Sequence, residues 1–326
     1  MSPAAPRTIG LVGARGYVGR EVVRLIEADE AFELTLATSR ALTGRTLAAA
    51  FEGATGDLVV TDDGPEAVAA RGCDAYVLGL PNGLAAPYVA AIEAESPGSV
   101  IVDLSADHRG VPGWTYGLPE LNRADIRSAR RIANPGCYAT AAILCLWPVA
   151  DLLVAPPSCF GVSGWSGAGT TPSDKNDPAR LKDNVLPYGF GGHGHQAEIG
   201  RAIGRDVIFA PHVASFFRGL IVTATSPITR AHSLDELQAR YRTAYADSAV
   251  VRCQDAPPEP VDVAGTAAAV VGGLALDEAT GVLTAACALD NLLKGAASQA
   301  MENLRLAFSD ADNGGAAGRG QVGRSS

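Results

Sequence analysis

Four short, nearly all-apolar runs punctuate the first part of the chain: Thr8-Ile9-Gly10-Leu11-Val12, Phe32-Glu33-Leu34-Thr35-Leu36-Ala37, Ala75-Tyr76-Val77-Leu78-Gly79-Leu80 and Val100-Ile101-Val102-Asp103-Leu104. Runs of this length, most with little polar alternation, read as strands covered on both faces, as in a parallel sheet. Between them the period lengthens. Val18, Val22, Leu25 and Ile26 fall at i, i+4, i+7 and i+8, one face of a helix, and Leu84 to Ala94 also reads as helical. The alternation predicts an α/β fold with a Rossmann-type doubly wound parallel sheet over residues 1–137. Ligands should then gather at the strands' carboxyl ends, where Gly13, Pro81-Asn82, Ser105 and Cys137 fall.

The pattern changes after Ala141-Ala142-Ile143-Leu144-Cys145-Leu146-Trp147, an apolar run that reads as a buried helix. Ser158 to Trp165, Phe217 to Thr225, Val250 to Cys253 and Val282 to Leu289 are mostly longer and more alternating. They predict an antiparallel sheet in a mixed α+β catalytic and oligomerisation domain over residues 138–289. Ser233 with Glu236 three residues on is a capping box that starts a helix. Asp290 to Met301 reads as the opening of a last helix, 290–308, packed back on the first domain. Residues 309–326, rich in Gly, Ala, Ser and Asp, read as a disordered tail.

Composition narrows the function classes. At 326 residues and 47% hydrophobic the chain has material for two cores, and no stretch approaches the ~20 apolar residues of a membrane span. The start carries no signal-peptide pattern, so a cytoplasmic protein is expected. Six dispersed cysteines without a CxxC pair argue against a zinc ribbon or a disulfide framework. A net charge of −9 argues against nucleic acid and anionic membrane as partners. An anionic ligand must then be held by a few local cations.

Candidate chemistry enters at three places. Gly13-Ala14-Arg15-Gly16-Tyr17-Val18-Gly19 joins the first strand to the first helix, the context of a phosphate-binding turn; the GxxGxxG spacing also fits a plain strand–helix connection. The second strand ends Thr38-Ser39-Arg40 with no acid for a ribose hydroxyl, which selects NADP(H) over NAD; Arg45 nearby reads as solvated. Asn134-Pro135-Gly136-Cys137-Tyr138-Ala139-Thr140 puts a cysteine at a helix start, where unpaired N–H groups favour the thiolate. A small apolar residue filling a helix start is the alternative. The polar stretch from Ser166 to Gly204 holds Gly167-Ala168-Gly169, Lys175, His193 and His195. Without a third ligand at plausible spacing the histidines predict no metal site. They read as surface residues, or beside an activated cysteine as its acid/base.

In order along the chain, the glycine turn, Ser39-Arg40, Asp103-Leu104-Ser105-Ala106-Asp107-His108-Arg109, Tyr116-Gly117-Leu118-Pro119-Glu120-Leu121-Asn122, Asn134 to Thr140, Ser166-Gly167-Ala168-Gly169, His193/His195, Pro211-His212 with Arg218-Gly219, and Asp290-Asn291-Leu292-Leu293-Lys294-Gly295 form a set. Over residues 7–308 that set resembles the N-acetyl-gamma-glutamyl-phosphate reductase family of arginine biosynthesis, similar in turn to aspartate-semialdehyde dehydrogenase and glyceraldehyde-3-phosphate dehydrogenase. The resemblance implies an acyl-phosphate reductase with Cys137 as nucleophile and His193 or His195 as acid/base, His193 slightly preferred. It implies Arg109 on the leaving phosphate, with Ser105, Glu120, Gly167 and Arg218 also on substrate or phosphate. Gly13, Arg15, Gly16, Tyr17, Val18, Ser39, Arg40 and Pro81 would hold NADP(H), and Asn291 would meet the nicotinamide. A salt-bridge role for Arg109 and a helix cap for Asn291 stand beside these. The partners implied are a small-molecule acyl phosphate and a second copy of the chain, as dimer or tetramer. Three departures concern the substrate: Thr170 and Gly194 stand where the family usually has arginine, and Ala214-Ser215-Phe216-Phe217 is unusual. They leave open an amino-adipyl phosphate on an amino-group carrier protein, or another secondary-metabolic acyl phosphate. A silent NADP-binding sensor is disfavoured by the intact Cys137 and histidines.

Overall fold

A computed structural model describes residues 5–317, with side chains described to Ser309. Six strands form the first sheet: β1 (Arg7–Val12), β2 (Phe32–Thr38), β3 (Ala75–Leu78), β4 (Val100–Asp103), β5 (Thr115–Tyr116) and β6 (Arg131–Ala133). All pairs are parallel, in the order β2-β1-β3-β4-β6-β5. The apolar runs β3 and β4 are buried on both faces, as their lack of alternation predicts, while β2 at the sheet edge exposes Glu33. Ile9, Leu11 and Val102 pack with the helices Tyr17–Glu27 and Ala297–Ala317. Tyr76, Leu78 and Ile101 pack on the other side with Val89 and Ile92 of the helix Ala86–Glu95.

Strand order reverses between β1 and β3, and the crevice at their carboxyl ends is closed to side chains by geometry. Gly13 has φ +91°, and a Cβ on it would lie 2.4 Å from the Gly79 carbonyl oxygen. Gly19 plays a second structural part, since a Cβ there would lie 2.5 Å from the Ala14 carbonyl. Gly16 differs from both: it caps the helix with φ −63° and has no neighbour within reach of a Cβ. Of the three glycines, only Gly16 borders free space.

The second sheet is mixed, which corrects the antiparallel expectation. Its strands are β7 (Ser158–Gly164), β8 (Val185–Pro187), β9 (Ile208–Ala214), β10 (Leu220–Pro227), β11 (Val251–Cys253), β12 (Ala269–Asp277) and β13 (Val282–Leu289), in the order β11-β12-β13-β10-β7-β9-β8. β7 pairs with β9 and β11 with β12 in parallel. Parallel pairing needs a crossover connection, and the long polar stretch containing the helix Gly194–Ile203 supplies one between β7 and β9. β9 and β12 left no clear strand signal because Pro211 interrupts one and Gly272-Gly273 the other, where the register slips. The expected capping box on Ser233 and Glu236 is present.

Helix Cys137–Leu146 lies across one face of this sheet, with residues 138–146 all buried. Being apolar all round, it packs as a core element beneath Leu220, Val222, Cys287 and Leu289. Residues 290–296 turn rather than coil. The Asp290 carboxylate accepts N–H bonds from Leu292 and Leu293 and an ion pair from Arg218, so the last helix starts only at Ala297. That helix runs to Ala317, through the first part of the stretch read as a tail; residues 318–326 lie outside the described residues.

Candidate active site

Cys137 sits at the first turn of its helix, at the carboxyl end of the parallel sheet, with glycines pressed on both sides. A Cβ on Gly136 would lie 2.1 Å from His195 Nε2, and one on Gly295 would lie 2.6 Å from the Cys137 Cβ. Backbone therefore replaces side chain at both positions, so that the imidazole and the 290–296 turn can close around the thiol.

Glu198 organises this approach. Its Oε1 accepts from the Gly136 N–H at 2.8 Å and the Tyr116 hydroxyl at 2.7 Å, and its Oε2 from Arg109 NH1 at 3.1 Å. The carboxylate is 3% exposed. It stands one turn beyond His195 on the same helix face, so it locks the histidine's helix to the loop before the nucleophile. Sequence reasoning assigned it no role; the His195-x-x-Glu198 spacing was the available signal.

The two histidines divide their work. His193 Nδ1 accepts the His195 N–H at 3.2 Å and so caps the helix Gly194–Ile203, while its ring lies among Tyr138, Tyr188 and Phe209. His195 is the one against the nucleophile loop, and its Nδ1 is buried without a partner. Burial, then Arg109 and His193, hold the His195 imidazole well below the usual 6.5. Burial also lowers His193, with Lys175 adding to the effect.

The ionisation of Cys137 departs from expectation. Burial pushes its thiol up to about 11, outweighing the N–H groups of Tyr138 and Cys137 and the Arg109 charge, all of which favour the anion. The helix start alone does not make a thiolate here, because desolvation outweighs it.

Arg109 is committed as an interdomain clamp. Nε donates to the Asn134 carbonyl at 2.9 Å, NH2 to the Leu104 carbonyl at 2.9 Å, and NH1 to Glu198, which leaves one N–H on each terminal nitrogen. The salt-bridge alternative is thus realised. Ser105 is turned into its own loop, donating to Asp103 Oδ2 at 2.9 Å. Glu120 is buried against Lys294 at 2.9 Å. Arg218 pairs with Asp290 at 2.6 Å and with Glu21 at 3.0 Å across the domain boundary. Asn291 caps nothing: Oδ1 accepts the Gly219 N–H at 2.8 Å and Nδ2 donates to Ser166 Oγ at 2.9 Å, pinning the turn that carries Gly167. Of the residues expected on substrate, Ser105, Glu120 and Arg218 each have a partner within the protein, while Glu120 Oε2 and Arg218 NH2 are buried without one among the described residues.

The glycine turn fits a dinucleotide. The helix N-terminus behind Gly16 has no side-chain cap, and the open space over Gly16 leaves room for a pyrophosphate on it. Arg15 and Arg40 are exposed beside it, and Ser39 closes the second strand through its backbone bond to Thr61. Pro81 is exposed just past β3. Val18 packs into the sheet core, and Tyr17 stacks edge-on to Trp165 and Phe217 of the second domain. Among the described residues no helix is long and apolar enough to cross a membrane, and no cluster of three His, Cys, Asp or Glu side chains could hold a metal.

This arrangement, a half-buried cysteine and histidine on a mixed-sheet domain joined to a domain with a dinucleotide turn, defines a class. Residues 8–129 match the semialdehyde dehydrogenase NAD-binding domain family, and residues 137–291 match the semialdehyde dehydrogenase dimerisation domain family. Solved structures of that class share the fold: aspartate semialdehyde dehydrogenase II of Vibrio cholerae complexed with ASA superposes with TM-score 0.76 at 18% identity, covering 94% of this chain and 99% of that one. The Candida albicans enzyme with NADP gives 0.72 at 16%, covering 93% and 99%. The chain is an oxidoreductase of this class. Sequence relatives go further. N-acetyl-gamma-glutamyl-phosphate reductase of Xanthomonas axonopodis pv. citri is 45% identical over 303 residues, 93% of this chain and 96% of its own, and that of Stenotrophomonas maltophilia is 47% identical over 301 residues, 92% and 95%. The chain belongs to the N-acetyl-gamma-glutamyl-phosphate reductase family.

Proposed function

We propose that this protein reduces N-acetyl-gamma-glutamyl phosphate to the semialdehyde and phosphate with NADPH, through a thioester on Cys137. The observation that carries the reading is His195 pressed against Gly136, the residue before a half-buried cysteine, in a chain of this family. His195, neutral at physiological pH, takes the thiol proton as sulfur bonds to the acyl carbon. The carbon–oxygen bond to phosphate breaks, and the two N–H groups that Arg109 has left over face the departing charge. When bound, the nicotinamide supplies a hydride to the thioester carbonyl. The resulting oxyanion collapses, the carbon–sulfur bond breaks, and His195 returns its proton to sulfur. Glu198 holds the helix and loop in register throughout.

Residues 1–137, completed by the C-terminal helix, serve as the cofactor domain, with residues 138–289 carrying catalysis and self-association. Arg40, exposed at the end of β2 with no acid beside it there, supports NADP over NAD. The assay runs backwards: semialdehyde, phosphate and NADP should give NADPH, and turnover indifferent to phosphate would defeat the assignment. Cys137→Ser should keep fold and cofactor binding while turnover falls by more than about 10³-fold, because a serine hydroxyl is a far poorer nucleophile. Activity on a carrier-linked acyl phosphate alone would redirect the substrate and leave the chemistry.

A further inference from the structure

Lys175 is a charge that the chemistry above does not use. It lies half-buried in the loop between the turn Trp165–Ala168 and the helix Pro178–Leu181, with Nζ 4.9 Å from the centre of the Tyr188 ring. The Tyr188 and His193 rings are 5.5 Å apart, and those of His193 and His195 are 4.7 Å apart. The ammonium therefore stands one aromatic ring beyond His193, whose neighbour His195 borders Gly136, the residue before Cys137. Among the described residues it has no hydrogen bond and no carboxylate within ion-pair distance. The acids beside it in sequence are occupied: Asp174 faces Arg180 at 4.0 Å, and Asp177 caps the next helix. In a chain of net charge −9, a lysine with no carboxylate within 4.0 Å among the described residues, held over an aromatic face, is arranged to meet an anion from outside.

Resting on the reduction proposed above, we infer that Lys175 holds the α-carboxylate of the acyl-phosphate substrate and selects for it. Position assigns the carboxylate rather than the phosphate. The phosphate departs from the carbon bonded to Cys137, beside Arg109, whose NH1 borders Gly136. Lys175 is separated from that carbon by the two histidine rings, and the α-carboxylate stands off the acyl carbon by two methylenes and the α-carbon. Between Trp165 and the start of the helix Pro178–Leu181, Lys175 is the one Lys or Arg in the sequence.

The test is the reverse reaction with Lys175→Met, which keeps the aliphatic stem on Tyr188 and removes the charge. The KM for the semialdehyde should rise roughly ten- to a hundredfold. The KM for phosphate should stay within about twofold, and Lys175→Arg should recover most of the loss. Preference for the semialdehyde over its uncharged α-amide should shrink by a similar factor. A rise in the phosphate KM in place of the semialdehyde KM, or no change in either, would overturn the inference. Failure of the parent protein to show phosphate-dependent turnover would instead remove the reductase reading, so the two failures are distinguishable.

Discussion

Burial acts in opposite senses on Cys137 and His195, the two groups given the proton transfer in the proposed function. It raises the Cys137 thiol to about 11 and lowers the His195 imidazole, so the resting pair is thiol plus neutral base at physiological pH. Because the base form of His195 persists below the ordinary 6.5, kcat/KM should stay flat as pH falls to that value and drop only under it. An acid limb at or above 6.5, absent from His195→Asn, would contradict this. Arg40 carries the second prediction at this scale. Its contacts to a 2′-phosphate are charged hydrogen bonds worth about 1.5–3 kcal/mol. Arg40→Ala should weaken NADP by that amount in a calorimetric titration and leave NAD unmoved; equal affinity of the parent for both cofactors would refute the selection. Cys137 and both histidines stood out in the sequence because their signals are local. Glu198 did not, since its three donors come from Gly136, Tyr116 and Arg109, far away along the chain.

Elements show a similar split. The glycine turn was legible as strand, turn and helix, yet its three glycines do different things. Gly13→Ala forces a side chain onto the Gly79 carbonyl at φ +91° and should destabilise the fold by at least about 1 kcal/mol. Gly16→Ala meets nothing at φ −63°, so stability should stay within about 0.5 kcal/mol while cofactor affinity falls. Thermal unfolding paired with cofactor titration separates the two, and an unaltered affinity in Gly16→Ala would count against a pyrophosphate there. The segment 290–296 misled because its apolar and small residues suit a helix. Asp290's bonds to Leu292 and Leu293, its distant partners Arg218 and Gly265, and the approach of Gly295 to Cys137 make it turn.

For the whole molecule, the second sheet covers one face with the helix Cys137–Leu146, while Val263 covers Val270 and Ala288 on the other and leaves its β7–β9 part exposed. Phe160 on β7 and Ile208 on β9 are 48% and 58% exposed, and the His212 ring lies 4.3 Å from that of Phe160. An apolar face of this kind, in a segment that matches a dimerisation domain, supports self-association through it. Phe160→Asp should lower the mass measured by light scattering to that of a monomer without unfolding the chain. An unchanged oligomer would move the interface elsewhere.

Residue order alone determined the strand–helix alternation, the dinucleotide turn, the capping box at Ser233 and a cysteine at a helix start. Each follows from periodicity or from backbone preferences acting over a few residues. Tertiary structure decided the rest: β7 and β9 run parallel, His195 rather than His193 faces the nucleophile loop, Arg109 is spent on Asn134, Leu104 and Glu198, and Cys137 rests as a thiol. Those outcomes depend on desolvation and on partners brought from distant segments, which no local pattern encodes.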